Sequence, residues 1–144
     1  MARDSTEAAR ELLQVVMLVM RSVSAELRRS ATPLAPAQLG TLMKVTTEPC
    51  RMSDLARHLA VSLPTMSKSV DMLVRRRLVE RYADARDRRQ MMIRPTAAGR
   101  RAAARMKQRA ERHVARALAP LAASERAALR SSLAPVKRAL AGRQ

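Results

Sequence analysis

Two clusters in the middle of the chain carry side chains able to act on a polyanion. Ser62, Thr65, Ser67, Lys68 and Ser69 crowd one short stretch. Their hydroxyl and ammonium groups can hydrogen-bond base edges or phosphates. Asp84, Arg86, Asp87, Arg88 and Arg89 follow in a segment, Asp84 to Gln90, that is almost wholly charged. Arginine placed in a narrow minor groove gains from its enhanced negative potential. A neighbouring aspartate can hold one guanidinium so that another is aimed. An ordinary helical hairpin and a solvated charged loop would have the same residue types. That blander account leaves the adjacency of the two clusters unexplained.

The elements around the clusters must position them. Ser53 is a good N-cap for a short helix, and Asp54 in its first turn suits the helix dipole. Leu55, Ala56 and Leu59 face inward, and small Ala56 admits a second helix closely. Ala60-Val61 turns the chain, Ser62 caps the second helix, and Pro64 sits in its first turn, where a missing N–H does no harm. Met66, Val70, Leu73 and Val74 form its buried stripe, which leaves the early polar residues outward. Leu78 to Ala83 and Met91 to Arg94 alternate as two strands flanking the charged loop. Helix, tight turn, helix and basic hairpin is the layout of a winged helix-turn-helix, which sets one helix in the major groove and a cationic loop beside it. Arg75-Arg76-Arg77 at the helix end suits the dipole and can also meet phosphates.

The rest of the chain reads as helical frame. Apolar residues at Leu12, Val16, Val19, Met20, Val23 and Leu27 predict a first helix from about Glu7 to Arg29. TPLAP at 32–36 breaks it, and Leu39, Leu42 and Met43 mark a second helix stopped by Glu48-Pro49. Cys50-Arg51-Met52 is a short extended link. Thr96 caps a long helix to about Leu118, with seven basic residues and one acid between 96 and 116. Pro120 interrupts it, Ser124 caps a last helix, and Pro135 should kink that helix. The long apolar stripes at both chain ends predict packing against each other and against a second copy.

Composition narrows the class. The 144 residues suffice for one domain with a real core, and 47% of them are apolar. There is no Phe or Trp and Tyr82 is the one aromatic, so the core is aliphatic with Met as filler. A formal charge of +17, from 29 Lys and Arg against 12 Asp and Glu, attracts polyanions. Nucleic acid is the first candidate and an anionic membrane surface the second. No apolar run approaches the roughly 20 residues that span a bilayer. The polar N-terminus is no secretory signal, and a single cysteine, Cys50, fits a reducing cytoplasm. His58 and His113 stand far apart in sequence with no Glu, His or Cys cluster at ligand spacing, so neither metal nor cofactor is expected. No catalytic constellation is apparent, and an enzyme is not expected.

With these residues in view, the chain resembles the MarR family of bacterial transcriptional regulators. That family's wing signature is Asp-x-Arg, five residues, then Leu-Thr. Here it reads Asp87-Arg88-Arg89, Gln90 to Arg94, then Pro95-Thr96, with Gly99 soon after. The order of elements matches over nearly the whole chain. The resemblance implies a mainly α fold, with a lobe at about 36–95, dimerisation helices at about 5–30 and 97–141, and a small β-wing. It implies that Arg89 enters the minor groove with Asp87 as its positioning partner. The expected DNA-binding set is Ser62, Pro64, Thr65, Ser67, Lys68, Arg75, Arg86, Asp87, Arg88 and Arg89. The implied partners are a pseudo-palindromic duplex operator, a second copy of the chain and a small anionic ligand that releases a repressor. A nonspecific, nucleoid-type DNA-binding protein is the alternative that the charge alone allows.

Three positions depart from the family pattern. Pro95 replaces Leu before Thr96. Arg77 stands where a Gly is usual, at a site that often needs positive φ. Ser69 takes a position that is usually apolar.

Overall fold

The computed structural model describes residues 2–30 and 33–142. Thr32, part of the expected breaker, lies outside the described residues. In chain order the elements are α1 (Ala2–Arg28), α2 (Pro36–Thr47), β1 (Cys50–Arg51), α3 (Met52–His58), α4 (Leu63–Arg75), β2 (Val79–Ala83), β3 (Met91–Pro95), α5 (Ala97–Leu118) and α6 (Ala123–Ala141). The expected mainly helical, winged architecture is what the chain adopts. It divides into two compact units, Met1–Ala110 and Glu111–Gln144.

The first unit holds the core. Leu42 and Val45 of α2, Leu55 and Ala56 of α3, Met66, Val70 and Leu73 of α4, Val79 and Ile93 of the sheet, and Ala102 and Ala103 of α5 are buried together. Every large member is aliphatic or Met, as the absence of Phe and Trp requires. The sheet is antiparallel in the order β1-β3-β2. Ile93 sits at its centre, opposite Cys50 on one side and Arg81 on the other. One buried hydroxyl fastens α4 to α2: Thr41 Oγ1 donates to Ala37 O at 2.7 Å and lies 3.3 Å from Met66 Sδ.

Several local expectations are corrected. Ser53 does not cap α3. Arg51 leaves β1 in extended geometry and stands at that boundary itself, so the strand runs straight into the helix. Ser69, grouped above with the outward polar residues, is only 7% exposed. It stands three and four positions from Met66 and Leu73, which puts it on the core face of α4. Pro95 stays in register as the last residue of β3, opposite Val79, and is buried. Arg77 does adopt the left-handed conformation, with φ 56°.

Thr96 ties the wing to α5. Its hydroxyl donates to Arg77 O at 2.6 Å and accepts from Gly99 N at 3.0 Å. Gly99 is required by close approach rather than by a turn. A Cβ there would stand 1.8 Å from Leu78 O.

In the second unit, α6 begins after Ala122, not after a capping Ser124. The backbone N–H of Ala122 donates to Glu125 Oε2 at 2.7 Å, so the glutamate reaching back satisfies the helix start. The helix carries Pro135 in its interior and continues to Ala141. None of its residues is buried. In the first unit, α1 likewise leaves Leu13, Met17 and Leu18 exposed. Its C-terminal part is held by an ion pair from Glu26 Oε1 to Arg109 Nε at 2.9 Å.

Candidate nucleic-acid interface

The first turn of α4 is built by Ser62. Its backbone is extended, and its Oγ accepts from Thr65 N at 3.3 Å while lying 2.9 Å from Thr65 Oγ1. That is an N-cap of the ordinary kind, worth about 1 kcal/mol. Pro64 follows inside the first turn, as expected. Ser62, Pro64, Thr65 and Lys68 are exposed and Ser67 is half-buried. Pro64, Lys68, Asp71 and Arg75 succeed one another at helical spacing along the side of α4 opposite Met66 and Leu73. A polar face with one cation in its middle and one at its end therefore points away from the core.

The loop between β2 and β3 is shaped by its two aspartates. Asp84 N donates to Gln90 O at 2.9 Å and closes the loop, and Gln90 N donates to Asp87 O at 2.9 Å within it. Arg86 N donates to Asp84 Oδ1 at 2.9 Å. Asp84 Oδ2 also lies 3.7 Å from Arg51 Nη2. Asp87 accepts from Arg89 N at 3.0 Å through Oδ1 and from Gln90 Nε2 at 2.9 Å through Oδ2. Asp87 thus reaches Arg89 through the backbone N–H, not through the guanidinium. It shapes the main chain that carries the arginine. One oxygen of each carboxylate is turned to the loop's own backbone, and Arg86, Arg88 and Arg89 are exposed.

Two further residues join loop and helix. Arg81 Nη2 on β2 meets Asp71 Oδ1 on α4 at 2.6 Å. The ion pair anchors the wing beside the face that carries Lys68 and Arg75. Sequence reasoning passed over this pair. Alternation from buried Val79 was the available signal, because it puts Arg81 on the same side of the strand as Val79. Arg76 was expected only as part of a basic run. Its Nη1 donates to Pro33 O at 2.9 Å and fastens the end of α4 to the segment before α2. On the sheet, the Arg94 guanidinium lies 4.5 Å from the centre of the Tyr82 ring and pairs with Glu80 at 2.6 Å.

Residues 32–90 match the MarR family, a span that takes in α2, the helix-turn-helix and the wing loop. Over that span the chain is similar to the MarR family. The resemblance drawn from the wing signature is thereby upheld. Solved structures agree over a longer stretch. A MarR family protein from Bacillus stearothermophilus is 19% identical with a TM-score of 0.81, covering 98% of each chain. A transcriptional regulator from Thermotoga maritima is 23% identical with a TM-score of 0.78, covering 94% of each. A probable transcriptional regulator from Pseudomonas aeruginosa is 29% identical with a TM-score of 0.61, covering 85% of this chain and 93% of its own. No curated protein matches the sequence. The match supports a DNA-binding regulator.

Other sites are thinner. Cys50 is buried, its Sγ donates to Glu48 O at 3.3 Å, and burial pushes its thiol pKa up. Such a thiol is poorly reactive. A cavity of about 490 Å³ lies between α1 and α2, lined chiefly by Met20, Leu27, Leu34 and Leu39, with Arg28 its one charged residue. Its lining comes from α1, α2 and the segment between them, and α5 contributes nothing to it. Among the described residues, no helix is long and apolar enough to cross a membrane.

Proposed function

We propose that this chain is a sequence-specific, duplex-DNA-binding transcriptional regulator that works as a homodimer in the cytoplasm. The observation that carries the reading is the pairing of an outward polar α4 with an adjacent loop of exposed arginines, joined by Asp71 and Arg81. In this reading α4 enters the major groove through Ser62, Pro64, Thr65, Ser67 and Lys68. Arg75 meets backbone phosphate. Arg86, Arg88 and Arg89 lie along the minor groove, with Asp87 shaping the loop. Exposed apolar side chains on α1 supply the surface for a second copy. Two copies would read half-sites about 10–10.5 bp apart.

Repression with release by a small ligand is part of the proposal. The aliphatic cavity beside α2, with Arg28 at its wall, suits an apolar molecule bearing an anionic group. Such a ligand acts by preferring a spacing of the two lobes that does not fit DNA.

A nonspecific DNA-coating role is the second reading, favoured by the +17 charge. Anisotropy titrations against a selected duplex and against random duplex at equal salt separate the two. Specific recognition predicts a preference of about 10³-fold or more. Equal affinity for both duplexes refutes the regulator reading and leaves the coating role.

A further inference from the structure

We infer that Leu63 is a specificity-determining residue that reads the C5-methyl group of a thymine in the major groove. The inference rests on the reading of α4 as the recognition helix. Leu63 is the first residue of α4 and is 54% exposed, with exposed Pro64 beside it. It lies outside the core cluster and its partly buried apolar neighbours. A lone exposed leucine is ordinary on a protein surface. Its position is what matters here, in the one turn that a recognition helix inserts deepest among base edges.

The neighbouring hydroxyls strengthen the case. Ser62 Oγ accepts from Thr65 N, and the Ser62 and Thr65 hydroxyls lie 2.9 Å apart in a mutual hydrogen bond. One of their two protons is therefore spent inside the cap, together with two acceptor positions. Half of the pair's hydrogen-bonding capacity is thus committed to the cap, and the turn gains an apolar surface from Leu63 and Pro64. In the major groove the thymine methyl is the apolar feature that marks one base from the others. A leucine there excludes water from that methyl and rewards thymine over cytosine, while gaining nothing from phosphate. Charge sets the overall attraction of this protein for DNA, whereas Leu63 contributes discrimination that salt does not screen.

The test starts by selecting binding sites from a random duplex library with the full-length protein. Each thymine of the winning duplex is then replaced singly by uracil, which deletes only the methyl group, and affinity is read by anisotropy. In each half-site one replacement should weaken wild-type binding about fourfold, the worth of one buried methyl. The same replacement should leave Leu63→Ala unaffected, and Leu63→Met, which keeps an apolar side chain, should retain the loss. If no uracil weakens the wild type, or if Leu63→Ala suffers the same loss, the inference is overturned while the regulator reading stands. A library that yields no enriched sequence overturns the regulator reading, and this inference with it.

Discussion

The same residue types meet opposite fates in two parts of the chain. In the lobe, Leu42, Leu55 and Leu73 are sealed from water around Met66. Along α1, Leu13, Met17 and Leu18 stand exposed, and α6 buries no residue at all. The lobe closes its own core because helix and strand periodicities converge on it from α2, α3, α4, the sheet and α5. The apolar stripe of α1 is as regular, yet much of it stays exposed. Amphipathicity therefore predicts that a surface will be covered, but not what covers it.

The largest effect should come from the exposed side of that contrast. Leu13→Asp with Leu18→Asp removes two large apolar contacts of the proposed interface, worth together about 4 kcal/mol or a thousandfold in association. Sedimentation equilibrium should show monomer, with the lobe still folded by circular dichroism. A dimer that survives would remove α1 from the interface. On the buried side, Gly99→Ala forces a methyl into Leu78 O and should cost about 3 kcal/mol in urea denaturation. Unchanged stability would mean that the α5 start is looser than the lobe around it.

Arg89→Ala removes an exposed side chain. It should leave the melting curve alone while weakening binding to a selected site by about 2 kcal/mol, or roughly thirtyfold. A gel shift indistinguishable from wild type would reject the wing contact. Arg77→Gly should move the other way and stabilise the lobe by about 1 kcal/mol, because Arg77 holds φ 56°. A lower melting point would show that the strain is absent or is offset by lost contacts.

The smallest effect belongs to Cys50. Its folded thiol pKa is raised by burial, so its contribution is intact below the ordinary value of 9.0 and declines as pH climbs through the folded value. Wild type should lose thermal stability above that pH slightly faster than Cys50→Ala. Parallel curves would place the thiol in contact with water.

The lobe was legible because each of its signals is local. The spacing of Leu55, Ala56 and Met66, the Ser62 cap and the Thr96 cap each follow from residue type and helical period. The left-handed backbone at Arg77 was foretold by the resemblance, whose pattern has a Gly at that site. Ser69 misled because hydroxyl chemistry was weighed above its place between Met66 and Leu73. Ser53 and Ser124 misled because a serine near a helix start is a common cap, whereas β1 and Glu125 already supplied what those starts needed. The Asp71–Arg81 ion pair was half legible: alternation from Val79 placed Arg81, but its partner depends on how a helix and a strand ten residues apart come to face each other. The resemblance paired Asp87 with Arg89, and the two are hydrogen-bonded. Which atom of Arg89 it holds depends on the loop's own conformation.

One hydroxyl group, on Thr96, belongs at once to the base of the wing and to the first turn of α5. A hinge cannot form there without giving up a hydrogen bond on one side or the other. A displacement of the start of α5 would therefore pull on the turn that leads into β2.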